Sequence, residues 1–365
     1  MIYTLNKYLT LWIFKGIFIA FIIITGIIIL VDFVETSRNL GTNNTINSLT
    51  KLSLAGLNAP QLVEKTIPFA ILFGVMGTLF SLNKRSEFII MRAAGLSVWK
   101  FLKPAMFMSA IIGIIWTFAF NPLAAISARK HQAMIAKITG GEGIQNQKTD
   151  IWIREGNEDG HVVIHAKSAN IAAHEIYNVT FYYFFLDSAN KPKFTTRYDA
   201  KSAKLHKNNY WVITDLTENV AGKPPQYSKT RSIPTSIDWE TLRELSSTKN
   251  MPSFWNITSE IKKAKQAGFD TTRLYLQFNK LLALPVLLLA MTIIAACAAI
   301  NLAREGGTLR LLIAGGTLGF GVYFTDNIIS AFGETGALPP MLAAWSVPIL
   351  VLCLGIVFLS KMEDG

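Results

Sequence analysis

The chain has 365 residues, of which 51% are hydrophobic and only 16% charged, a balance that excludes an ordinary soluble domain and points to a membrane protein with a soluble part. Its formal charge of +11 does not indicate nucleic acid, because 22 of its 35 Lys and Arg are dispersed between Arg129 and Lys280 beside 15 acids, with no dense basic block. Cys297 and Cys353 both fall in apolar runs, where they read as small packing residues and not as parts of a metal cluster.

Taken in chain order, the first apolar run is GIFIAFIIITGIIILV, Gly16 to Val31. It is longer than a signal-peptide core and ends in DFVETSRN, without a small-residue cleavage pattern, so a retained span is expected. A bilayer core about 30 Å thick requires about 20 apolar residues in a helix. Six segments meet that demand: 11–31, 62–82, 104–128, 281–303, 308–332 and 337–359.

The connection 83–103 carries Lys84, Arg85, Arg92, Lys100 and Lys103 against Glu87, whereas cations and acids balance over 32–65. The positive-inside rule therefore puts 83–103 in the cytoplasm and 32–61 outside. Alternation then places both termini inside and the long insert outside, and Arg304 and Arg310 agree with that orientation.

Within LFSLNKRSEFIIMRAAGLS (79–97) the residues predict a short helix: Asn83 suits an N-cap, Gly95 a stop and Ser97 the cap of the next helix. Glu87 then lies near the positive end of the helix dipole, and Arg85 and Arg92, seven apart, share a face. Such a helix fits either a partner's groove or the bilayer surface.

Arg129 and Lys130, in ISARKHQAM just after the third span, stand against the positive-inside trend. They suit the phosphates of an outer-leaflet lipid, or snorkelling from a span end. The insert that follows, 129–255, changes period. TDIWIREG, HVVIHAKSANIAA, NVTFYYFFLD, FTTRYDAKSAKLHKN and YWVITDLTENV are β-branched and aromatic runs separated by turns. Strands in succession without helices between them predict an all-β domain, a sandwich or jelly roll. An amphipathic helix is expected over 256–280, starting at NITSEIKKAKQAG.

In the fifth span, Asp326 is costly to bury unpaired. It lines a polar cavity or meets a cation on a neighbouring helix, or else it lies near enough to the outer interface to be wet. Gly315 and Gly319, four apart, form a small-residue face that permits close helix approach.

Catalytic patterns are missing. There is no G-x-x-x-x-G-K-[ST] phosphate loop, so ATP-driven work must enter from another chain. HEIYN at 174–178 has Asn178 where a zinc helix needs its second histidine. His161, His165, His174 and His206 are scattered along strands, and Asp150, Glu155, Glu158 and Asp159 read as a hairpin tip. No Ser/His/Asp set, metal site or cofactor site is expected.

KRSEFIIMRAAGLS (84–97), GFDTTRLYLQFNKLLALPV (268–286) and GALPPMLAAWSVPILV (336–351) resemble the LptF/LptG permeases of bacterial lipopolysaccharide export. The likeness extends over the whole layout of three spans, insert and three spans, and RYDAKSAKLHKNNYWVITDL leans to the LptG branch. The resemblance implies an inner-membrane heterodimer of LptF and LptG, bound to two copies of the LptB ATPase and to LptC. It makes 84–97 a coupling helix seated in an LptB groove, with Glu87 as its acidic residue and Arg85 and Arg92 beside it. It makes the insert a periplasmic β-jellyroll in a lipopolysaccharide bridge. It also implies that spans one and five enclose the lipid cavity, with Arg129 among the phosphate contacts. Where the family has lysines near the outer end of span one, this chain has Asp32, Glu35 and Thr36, leaving Arg38 as the nearby cation. Two other readings are a permease of a different ATP-driven envelope system, such as lipoprotein release or a mechanotransmission exporter, and a membrane-anchored envelope enzyme.

Overall fold

A computed structural model describes residues 2–40, 47–93, 97–138, 151–157, 160–170, 174–186, 192–206, 209–220, 222–235, 252–266, 270–302 and 308–364. Asp150, Glu158, Asp159, Gly95, Arg304 and the side chain of Arg92 lie outside the described residues. The chain forms two compact units: Met1–Ala128 with Pro252–Thr258 and Thr271–Gly365, and Arg129–Met251 with Ser259–Asp270.

The helical unit opens with α1 (Ile2–Leu40), a single helix of 39 residues that extends well past the 11–31 span at both ends. Next comes α2 (Ser48–Glu64), where the sequence suggested only a connection, and then α3 (Ile67–Lys84). Asn47 caps α2 by accepting the amide of Leu49. After the short α4 (Glu87–Ala93), α5 (Val98–Ile115) runs through a π-helical turn, Trp116–Phe120, into α6 (Asn121–Ile138).

The connecting helix expected over 256–280 is shorter: α7 ends at Gln266 (Phe254–Gln266). Residues 272–280 instead form the first turns of α8 (Thr272–Leu302), which is followed by α9 (Thr308–Glu334) and α10 (Pro340–Asp364). Among the described residues, five helical stretches are long and apolar enough to cross a bilayer: Asn6–Arg38, Ile67–Lys84, Val98–Ile135, Thr272–Ile300 and Pro340–Lys361. The sixth expected span is one unbroken helix, α9, with 27 residues and a length of about 40 Å at 1.5 Å per residue. Its glycines and the Asp326-Asn327 pair dilute its apolar character.

Helix α8 is the axis of this unit. Leu288, Met291, Ile293 and the run Ala295 to Ile300 are buried, because small alanines let α3, α5 and α10 pack closely around it. A Cβ on Gly113 of α5 would lie 2.6 Å from Cα of Pro285, so only glycine permits this crossing. Beside that crossing, Ser109 and Thr292 share a buried hydrogen bond of 2.6 Å. Pro285 has no amide hydrogen and strands the carbonyl of Leu281 four residues earlier. Thr117, in the π turn, donates its hydroxyl to that carbonyl at 2.8 Å. A second backbone approach joins α1 and α3, where a Cβ on Gly74 would lie 2.5 Å from Cα of Ile17. The Gly315/Gly319 face of α9 meets Met76 and Leu72 of α3, which identifies the partner of that small-residue pair.

The insert is a single six-stranded antiparallel sheet in sequence order: β1 (Ile151–Asn157), β2 (Gly160–Asn170), β3 (Glu175–Leu186), β4 (Pro192–His206), β5 (Tyr210–Val220) and β6 (Gln226–Pro234). Its inner face buries Ile164, Phe181, Ala203, Trp211, Ile213 and Leu216. Thr235, just past β6, donates to Glu155 of β1 at 2.8 Å, which brings the end of β6 near β1. The expected all-β insert is present as one antiparallel meander, and not as two sheets stacked as a sandwich. Near that junction Arg231 and the hydroxyl of Tyr198 both donate to Glu218, at 2.7 and 3.2 Å. Burial, reinforced by Tyr198 and Glu155, holds the Tyr183 phenol well above its ordinary pKa.

One row changes the face of the sheet. The pairing steps from Tyr177↔Ser202 to Val179↔Ala200, and from Ser202↔Thr214 to Ala200↔Leu216. Asn178, Lys201 and Asp215 therefore stand in line across three strands, with φ of 51° at Asn178 and 55° at Asp215. Left-handed backbone suits Asn and Asp, and inserting a residue on each strand keeps neighbours in step while reversing the alternation. On β4 the buried residues pass from Tyr198 and Ala200 to Ala203 and Leu205.

Candidate coupling site and polar positions of the spans

The segment 84–97 is built around one backbone joint. Helix α3 runs through Asn83 to Lys84, so Asn83 does not cap a new helix; its carbonyl instead accepts the amide of Ser86 at 2.9 Å. Ser86 takes a left-handed φ of 61° and turns the chain into α4. Glu87 is the first residue of α4, where its charge meets the free amides of the first turn. Ser97 accepts the amide of Lys100 at 3.4 Å and caps α5, as its position suggested. On α4, Met91 is buried while Ile90 is 65% exposed, so an apolar side chain is left facing outward.

The beginning of α1 packs against this joint. Tyr8 donates its hydroxyl to Glu87, 3.1 Å from Oε2 and 3.4 Å from Oε1. The guanidinium of Arg85 lies 4.7 Å over the ring of Trp12, within cation–π range. Tyr8 and Trp12, one helical turn apart, have ring centroids at 6.0 Å. Sequence reasoning missed both aromatics; the i,i+4 pair beside the first apolar run was the available signal.

At the other end of α1, Arg38 is exposed in the last turn, where a cation complements the helix dipole. Asp32 turns the opposite way. It is 7% exposed and accepts a hydrogen bond from Asn58 of α2 at 2.7 Å. This acid fastens α1 to α2, while Glu35 is exposed. Arg129 and Lys130 are both exposed on α6.

Asp326 has a cation. Lys280 of α8 reaches its Oδ2 at 2.9 Å, with the carboxylate side chain 18% exposed and the lysine 34%. Of the alternatives for Asp326, the structure shows pairing with a neighbouring helix. Lys280 was the residue that periodicity could not single out, since a lysine at a span edge also reads as a snorkel. A further polar link was not anticipated: Asn121 donates to Glu64 at 2.6 Å and accepts the amide of Phe254 at 2.8 Å, tying together α2, α6 and the start of α7.

None of these constellations holds a nucleophile with its base. They supply a left-handed backbone joint between two helices at Ser86, and exposed cations at Arg38, Arg129 and Lys130.

Comparison with known proteins gives a consistent result. The family model described as "Lipopolysaccharide export system permease LptF/LptG" matches residues 7–361. The chain is 24% identical to the lipopolysaccharide export system permease protein LptG of Haemophilus influenzae, in an alignment of 374 positions covering 100% of both chains. It is 22% identical to LptG of Escherichia coli K12 over 351 residues, 93% of each chain. LptF of the same strain is 28% identical over 93 residues, covering 26% of this chain and 25% of that one.

Proposed function

The chain belongs to the LptF/LptG family of lipopolysaccharide export system permeases, and on that footing we propose that it fills the LptG position beside an LptF-type paralogue, driven by two copies of the LptB ATPase and joined by LptC. It is a multi-pass membrane protein and a transporter subunit. In this reading it takes lipopolysaccharide from the outer leaflet of the bacterial inner membrane and passes it to a periplasmic bridge that begins with its own β sheet. Both termini lie in the cytoplasm. ATP is bound by the partner subunit.

The boundaries that follow are 1–128 for the first three spans with the coupling helix near 84–96, 129–255 for the periplasmic domain, α7 for the connection and α8 to α10 for the last three spans. Residues 84–97 receive the ATPase's motion through Glu87, with Arg85 and Arg92 beside it. Arg129, Lys130 and Arg38 meet the lipid phosphates. Asp326 pairs with Lys280 and is assigned no lipid contact in this reading.

The observation that carries this reading is the joint at Ser86. Glu87 begins a seven-residue helix between two spans, and Ile90 beside it is exposed to a partner. The reading also needs uncovered apolar side chains on two spans, and α1 (Phe14, Phe18, Ile22) and α9 (Phe320, Phe324, Ile328) leave them open to lipid or to a second permease. The test is a pull-down of the full chain from native membranes, with identification of proteins and lipids. Copurification of an ATPase, a second permease and lipopolysaccharide is the expected result; recovery of a lipoprotein-release ATPase without lipopolysaccharide overturns it.

A further inference from the structure

The two contacts that α1 makes with the coupling segment bracket its joint. Arg85 immediately precedes Ser86 and lies over Trp12; Glu87 immediately follows it and accepts from Tyr8. Backbone rotation at Ser86 would swing α4 relative to α3, yet both sides of that joint are held by one face of a third helix. That helix is well suited to carry force. It contains no proline, runs unbroken for 39 residues or about 58 Å, and has Leu9 and Ile13 fully buried beside the two aromatics. The contacts themselves are separable. A hydroxyl donating to a carboxylate is directional, whereas a guanidinium over an indole tolerates sliding. A carboxylate also has about four acceptor positions, so Tyr8 leaves most of Glu87 open to a partner.

We propose that Tyr8 and Trp12 are positioning residues that yoke the first span to the coupling segment, so that movement of α4 about Ser86 pulls α1 directly. This rests on the reading of residues 84–97 as the element that receives the ATPase's motion. Force then reaches α1 by two routes: through the side-chain grip at its start, and through the Gly16/Gly74 crossing with α3 further along. The first route moves α1 relative to α3, and the second moves the two helices together. Only the first can change the spacing between α1 and the rest of the unit.

The experiment uses the assembled transporter, reconstituted in vesicles containing lipopolysaccharide, and reads lipid export per ATP hydrolysed. Tyr8→Phe keeps the ring and removes the donor; Trp12→Leu keeps an apolar side chain and removes the π face. The double variant should assemble in normal yield and hydrolyse ATP within about twofold of the parent, while export per ATP falls about tenfold. Trp12→Tyr with Tyr8 intact should keep export per ATP close to the parent, because a phenol ring also accepts Arg85. Unchanged export per ATP in the double variant overturns the yoke. If the Trp12→Leu chain does not assemble, Tyr8→Phe alone decides by the same ratio. Glu87→Ala is measured alongside. Loss of export there with normal export in the double variant refutes the yoke and leaves the coupling segment standing; normal export in both refutes the coupling segment as well.

Discussion

Lys280 and Asp326 pair at 2.9 Å between α8 and α9, with both side chains partly buried. Two charges at this depth repay their desolvation only together, and removing one leaves the other unpaired in an apolar setting. Helix α9 also packs on α3 through its glycine face and on α8 and α10 around Gly333, so the pair acts together with these contacts in fixing its rotation.

Asp326→Leu alone should therefore lower the stability of the detergent-purified chain by about 2 kcal/mol, discounted from a fully buried pair for the partial exposure. The double variant Lys280→Met/Asp326→Leu should lose less than that. Thermal unfolding of the three chains checks it; additive losses would mean that the two residues are not coupled.

Thr117 and Leu281 make a second testable pair. Thr117→Val leaves the carbonyl stranded by Pro285 without a donor and should cost about 1–2 kcal/mol, while Thr117→Ser should be close to neutral. In a Pro285→Ala background the helix supplies its own amide to Leu281, so Thr117→Val should cost less there. Equal costs in both backgrounds would show that the hydroxyl serves some other purpose.

Glu87→Ala should lower lipopolysaccharide export about tenfold and weaken association with the ATPase subunit, without loss of fold. The fold is protected because Glu87 is partly exposed and its described side-chain partner is the hydroxyl of an exposed tyrosine. Export assays and copurification measure the two effects. Full export with normal association removes Glu87 from the coupling role.

Arg129→Glu should reduce photo-crosslinking of lipopolysaccharide to the transporter about tenfold, the loss expected when a charge-assisted phosphate contact becomes a repulsion. Lys130→Ala is the milder comparison, and Arg38→Ala tests the cation left at the end of α1. Undiminished crosslinking in Arg129→Glu excludes that residue from the lipid path.

The sequence by itself determined what depends on local composition. A bilayer core admits only long apolar helices with their backbone bonds satisfied internally, so runs such as Gly16 to Val31 had to be spans wherever they ended. The positive charge of 83–103 and the aromatic, β-branched composition of the insert are local in the same way. The family motifs were legible too, because short runs such as KRSEFIIMRAAGLS carry them entire.

What only the tertiary structure decided are pairings between residues far apart in the chain. Lys280 looks like a snorkelling lysine until α9 brings Asp326 to it. Asp32 looks like an acid facing the lipid until Asn58 takes it inward. Asn83 looks like a cap, but the turn is made three residues later at Ser86, against Tyr8 and Trp12 of another helix. In the sheet, the row through Asn178, Lys201 and Asp215 reverses the alternation, so a period-two reading loses phase along β3, β4 and β5. Periodicity and charge bias report one-body preferences for lipid, water or backbone shape. A hydrogen bond, an ion pair or a strand register is a two-body term, and its value is set once folding has chosen the partner.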